Sequence, residues 1–187
     1  MSAGRVRVDW ADVEHRPVAA PPRIASWVPS LTELLFALDL GPQVVARTGF
    51  CIHPRDAVRR VPKTGGTKDP DLVALRALAP THLVVNVDEN RREDVDAARA
   101  FVPNVIVTHP MGPEDNPRLY ALFGAIFDRV EAASKLAARF DAALVALDDA
   151  IAALPRQRVL YVIWKKPWMS VSRDTYISRT LARAGID

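Results

Sequence analysis

Between residues 23 and 127, short apolar runs alternate with stretches of helical periodicity, and no other feature constrains the fold of this chain as much. "RIASWV" at 23–28, "QVVAR" at 43–47, "THLVVNV" at 81–87 and "NVIVTH" at 104–109 read as strands. Helices are expected between and after them, over "PSLTELLFALDLG", from Asp69-Pro70 to Pro80, over "ENRREDVDAARAF" and over "PEDNPRLYALFGAIF". Leu31, Leu34, Leu35 and Leu38 recur at helical spacing, as do Leu72, Leu75 and Leu78. Ser30 and Glu33 match the S-x-x-E capping box, and Gly41 is the expected stop of that helix. Asp69 is the expected N-cap of the next, with Pro70 in its first position. Strands linked through helices by short connections form a parallel sheet with helices on both faces, so the fold class is α/β.

Ligands of such sheets gather at the carboxyl ends of the strands. One of those ends carries "TGFCIHP" at 48–54 and "RRVPKTGGTKDPDL" at 59–72, about twenty residues without periodicity. Loops of that length in compact domains are usually functional or disordered. Gly65-Gly66-Thr67-Lys68 invites comparison with a phosphate loop, but G-x-x-x-x-G-K-[ST] is absent. Plain turn chemistry is the other reading of the same four residues.

Residues 129–154 carry no helix breaker, and Val130, Ala133, Leu136, Phe140, Leu144, Leu147, Ile151 and Leu154 recur at three and four. A helix over this segment is either a coiled-coil partner or a rigid connector. Beyond it, "RVLYVIW" at 158–164 reads as a strand, "WMSVS" at 168–172 as its hairpin mate and "DTYISRTLARAGI" as an amphipathic helix. The expected organisation is a flexible lead at 1–22, an α/β lobe at 23–128, a long helix at 129–155 and a partial second α/β lobe at 156–187.

Composition narrows the function. The chain of 187 residues is 49% hydrophobic and 25% charged, within the range of globular proteins. Net charge is +3 with a pI of about 9.3, and the excess is spread out, which argues against nucleic acid. Arg156, Arg158, Lys165 and Lys166 read as a solvated face. No run approaches the roughly 20 apolar residues of a membrane span. The first 22 residues lack the apolar core of a secretory signal, so the chain as written is expected in the cytoplasm unless its start is misplaced or trimmed. Cys51 is the single cysteine, which excludes an internal disulfide and a zinc pattern. Cys51 and His53 stand two apart on an extended segment, compatible with a nucleophile–base pair or with two metal ligands. A small apolar cysteine beside a capping histidine is the plainer reading. G-x-S-x-G, H-E-x-x-H and G-x-G-x-x-G are all missing, and no catalytic or metal-ligating residue is assigned.

In order, "RIASWVPSLTELLFALDLG", "GGTKDPDL", "APTHLVVN" followed by "NRREDV", the long helix and "RVLYVIW…PWMSVSRDTYI" resemble the substrate-binding proteins of metal-chelate ABC importers. This is the helical-backbone class, which binds cobalamin, ferric siderophores or haem. The resemblance implies two α/β lobes joined by one long rigid helix, with the second lobe truncated here and a ligand held between lobes without chemistry. It implies cobalamin or another corrinoid, or else a ferric siderophore or haem, as ligand, no required cofactor, and an ABC permease as partner if the chain is exported. It places the chain in the periplasm, against the cytoplasmic reading of its start; the alternative is a cytoplasmic α/β enzyme or regulatory domain on the same fold that uses Cys51 and His53.

The same resemblance makes Phe50, His53, Lys63, Thr67 and Lys68 ligand contacts in the cleft loops, with Asn86, Glu89 and Asn90 leaving the next strand end. Trp164, Trp168, Met169, Arg173 and Tyr176 fall where the second lobe would face the ligand. An aromatic pair flanking Lys165-Lys166 suits a flat conjugated ligand with anionic edges. Glu93 aligns with the glutamate that the cobalamin-binding member docks onto permease arginines, although a first-turn Glu also favours its own helix dipole. Thr67 stands where that member carries a tryptophan. An incomplete second lobe would expose apolar surface, so weak self-association is expected.

Overall fold

A computed structural model describes residues 7–187. Four strands, β1 (Ile24–Ser26), β2 (Val44–Arg47), β3 (His82–Asn86) and β4 (Asn104–Thr108), form one parallel sheet in the order β2-β1-β3-β4. Helices α1 (Pro29–Ala37), α2 (Arg55–Val58), α3 (Leu72–Ala77), α4 (Arg92–Arg99), α5 (Asn116–Ile126) and α6 (Val130–Ile151) follow in chain order. β3 and β4 pair over five residues without a slip, from His82 with Asn104 to Asn86 with Thr108. β1 lies between β2 and β3, so the order of winding reverses beside it.

The chain divides into two compact units, one ending at His109 but including Tyr120–Ser134, the other comprising Pro110–Leu119 and Lys135–Asp187. The first has the core. Its strands bury both faces, as a helix-covered parallel sheet requires, and read as continuous apolar runs for that reason. Ala25, Trp27, Leu83, Val85 and Val105 pack with Leu75, Val95, Ala98 and Val102. Ile24, Val84 and Ile106, at the alternate positions of the strands, are equally buried.

Three capping expectations need correction. Helix α1 starts at Pro29, one residue before the supposed cap, so Ser30 is already helical and Val28 stands at the N-cap without a side-chain bond. Proline fixes the first helical position and removes the need for one donor. The left-handed residue after α1 is Asp39, at φ 57°, not Gly41, which opens a short 3-10 turn. Asp71 rather than Asp69 caps α3, its carboxylate accepting from Ala74 N at 2.9 Å.

The lead is also corrected over residues 7–22, residues 1–6 lying outside the described chain. Asp9 is fully buried and accepts from Ala11 N, Val13 N and the His15 ring, the last at 2.9 Å. Trp10 N donates to Val107 O, and Val107 N to the Asp9 carboxylate. β4 is an edge strand, and this segment satisfies the outward N–H and C=O of Val107. A short polar stretch that acts as an edge cover has no periodicity to betray it.

The second unit holds the hairpin β5 (Val162–Lys165) and β6 (Trp168–Ser170), followed by α7 (Tyr176–Arg183). Residues 157–159 pair in parallel with 185–187 through Val159 N to Asp187 O and Asp187 N to Gln157 O, both 2.7 Å. Arg183 ties α7 to Asp148 and, at 3.8 Å, to Glu114. The long helix α6 spans 22 residues, about 33 Å at the α-helical rise.

Candidate ligand site

The loops leaving the carboxyl ends of β1, β2 and β3 are tied to one another, and buried side chains do the tying. Asn90 is central. Its Oδ1 accepts from Asn86 N at 3.0 Å, and its Nδ2 donates to Thr67 O at 3.0 Å and reaches Trp27 O at 3.5 Å. One amide side chain, 7% exposed, thereby joins three loops at the point where the winding reverses. That point is where open α/β sheets bind ligands. Asn86 Oδ1 accepts from Asp88 N, and Lys68 Nζ donates to Asp88 O at 2.7 Å.

The glycine loop is shaped by its own backbone. Gly65 has φ +84°, and a β-carbon there would stand 2.4 Å from Asp69 O and 2.6 Å from Asp71 N. At Gly66 it would meet the Asp69 carboxylate at 2.1 Å. Turn chemistry thus explains both glycines, without any ligand approaching their backbone. The Phe50 ring lies beside Gly66 and is 63% exposed, an aromatic face free to stack.

The long segment after β2 is more structured than its sequence suggests, because Arg47 is folded into it. Arg47 is 5% exposed; Nε donates to Val58 O and Val61 O, and Nη1 to Thr48 O and Cys51 O. Its own carbonyl accepts from Thr64 N. A strand-terminal arginine gives no sequence signal of such burial, so this organiser was not legible beforehand.

The residues expected to bind ligand fall into separate groups. Phe50, Thr67, Lys68 and Asn86 share the linked loops, and Glu89 is exposed on the β3 loop. His53 and Lys63 instead line a pocket of about 450 Å³ beside β2. Trp164 and Trp168 are 63% and 71% exposed on the hairpin of the second unit. Arg173 lines a different space there, about 800 Å³, with Leu160, Tyr161, Leu181 and Ile186. Glu93 is exposed in the first turn of α4 beside Asp94.

A Cys51–His53 pair does not form. Cys51 is 1% exposed, and its sulfur lies 3.1 Å from the Thr32 hydroxyl and 3.2 Å from that of Thr48, whereas His53 is exposed. Residues two apart point the same way only in a regular strand, and this segment is none. Among the described residues no group of three or more His, Cys, Asp or Glu side chains is placed to hold a metal ion. No described helix is long and apolar enough to cross a membrane.

Residues 24–187 match the family described as periplasmic binding protein, and the chain belongs to that family. Its fold is similar to the periplasmic vitamin B12 binding protein of Vibrio cholerae, with TM-score 0.77 and 19% identity over 89% of this chain and 66% of that one. The periplasmic heme-binding protein of Roseiflexus sp. RS-1 gives TM-score 0.77 and 23% identity over 90% and 66%. A periplasmic heme-binding protein from Pseudomonas aeruginosa gives 0.81 and 23% over 89% and 62%. The chain therefore spans just under two thirds of the length of these structures. No curated protein matches it. The α/β fold and the family implied by the sequence are those found.

Proposed function

We propose that the chain is the substrate-binding component of an ABC-type importer and holds a metal chelate without transforming it. The carrying observation is the Asn90 junction, which fixes three carboxyl-end loops at the reversal of the sheet and leaves Phe50 exposed beside them. The neighbours in fold are named for vitamin B12 and heme, which supports the chelate class. Cobalamin or another corrinoid is the first choice of ligand here, with haem or a ferric siderophore as the others. Phe50, Thr67, Lys68, Asn86 and Glu89 are the proposed contacts of the first unit, and His53 and Lys63 extend them along β2. Trp164, Trp168 and Arg173 are proposed as contacts in their own right. Glu93 is the proposed docking carboxylate for the permease, which would place the working protein in the periplasm.

A tryptophan-fluorescence titration tests this, with cobalamin, cobinamide, haem and a ferric siderophore, corrected for inner-filter absorption. Saturable quenching by one of them, weakened more by Trp168→Ala than by His53→Ala, is expected. No quenching by any would remove the binding function. The exposed Leu160, Trp164 and Trp168 also support weak self-association, so light scattering should show a concentration-dependent mass. A monodisperse monomer would contradict that.

A further inference from the structure

The pocket beside β2 has a charge pattern that goes beyond the two contacts, His53 and Lys63, proposed for the chelate. Among the nine residues that line it are Arg47, Arg55, Arg59 and Lys63, together with His53, and no carboxylate. None of the four cations forms an ion pair among the described residues. Exposed Arg55, Arg59 and Lys63 could stand so in water at little cost. Arg47 differs from them: it is 5% exposed, and its Nε and Nη1 donate to four backbone carbonyls rather than to a carboxylate, so its positive charge is solvated by dipoles and, among the described residues, left without a counter-charge. Like charges gathered on one pocket repel one another, and an anion between them would relieve that repulsion.

We propose that this pocket binds an anion, a carboxylate or phosphate group, held by Arg47 from within and by Arg59 and Lys63 from the rim. Guanidinium groups suit such oxyanions because their planar donors match two oxygens at once. Two sources offer that chemistry: a free small anion, or the acidic edge of a bound chelate. The second rests on the proposed chelate binding, the first does not.

The test is isothermal titration of the whole chain with inorganic phosphate at constant ionic strength. One saturable site is expected. Arg59→Gln combined with Lys63→Gln should weaken it about tenfold, several-fold for each partly hydrated contact. Both residues are exposed, so the melting temperature should hold. Arg60→Gln removes a charge next to the pocket but outside its lining, and should leave the affinity unchanged. Absence of saturable binding, or equal weakening by Arg60→Gln, would overturn the proposal. Repeating the titration with haem added separates the sources: a phosphate site lost on haem binding belongs to the acidic edge of the chelate, an unaltered one to a free anion. A chain that binds phosphate but no chelate would refute the importer reading alone.

Discussion

Strands β3 and β5 are composed almost alike, "HLVVN" against "VIWK", and their surroundings are opposite. Leu83 and Val84 are completely buried, while Val162, Ile163 and Trp164 are 40%, 44% and 63% exposed. An apolar, β-branched run is enough to specify an extended backbone in both places. Burial is a separate matter, decided by what covers the strand. In the first unit residues of α3 and α4, among them Leu75, Val95 and Ala98, pack with the sheet; in the second the hairpin lies uncovered. Stability should therefore be concentrated in the first unit.

Truncating its core should show the largest effect. Leu83→Ala is expected to lower unfolding free energy by about 2–5 kcal/mol, measured by denaturant titration. A loss below about 1 kcal/mol would break the contrast. Acid should act nearly as strongly. Burial, and then the charge of nearby His15, lower the pKa of His82 from 6.5 to about 4. The His82 ring packs edge-on against Phe127 at 5.3 Å and bonds the Thr81 hydroxyl through Nδ1, while Asp9 pairs with His15. Its folded pKa is depressed, so the unfolded chain takes up the proton first. Stability from this group is complete above pH 6.5, falls as pH drops from 6.5 to 4 and is level below, about 3 kcal/mol in all. His82→Gln should flatten that slope. Burial raises the pKa of Asp9, but the bonds from His15, Val107, Val13 and Ala11 outweigh it and hold the net value low.

Two glycines sharpen the comparison at smaller scale. Gly65 and Gly185 both have positive φ, but a β-carbon at Gly185 would meet only Ile151 Cδ1, at 3.9 Å. Gly185→Ala should cost about 1 kcal/mol, the left-handed penalty alone. Gly65→Ala should cost about 2–3 kcal/mol, because Asp69–Asp71 must also move. Equal losses would show that the loop yields. The smallest effect is expected at Leu160, 79% exposed, where replacement by Ser should stay within about 0.5 kcal/mol.

The sheet was legible because strands covered on both faces are apolar throughout, and helices covered on one face are periodic. "THLVVNV" and "NVIVTH" located β3 and β4 to within a residue at either end. The site was legible in part. Glycines and a lysine at a strand end indicated the loop, and Asn86 and Asn90 were noticed for where they leave β3. Which carbonyls Asn90 bridges depends on loops some 20 and 60 residues away, which spacing cannot show. Arg47 and Asp9 were missed on the same ground: a charged residue carries no sign in the sequence that it will be buried and hydrogen-bonded.

In this reading a ligand rests on the joined loops of the first unit. Phe50 tests it most directly, since its ring is 63% exposed and is no part of the core. Equilibrium dialysis of cobalamin and of haem against the wild-type chain and Phe50→Ala gives the comparison. For whichever ligand binds, the variant should bind about fivefold or more weakly, about 1 kcal/mol of lost stacking, with an unchanged melting temperature. An affinity equal to wild type would contradict it and place the ligand elsewhere.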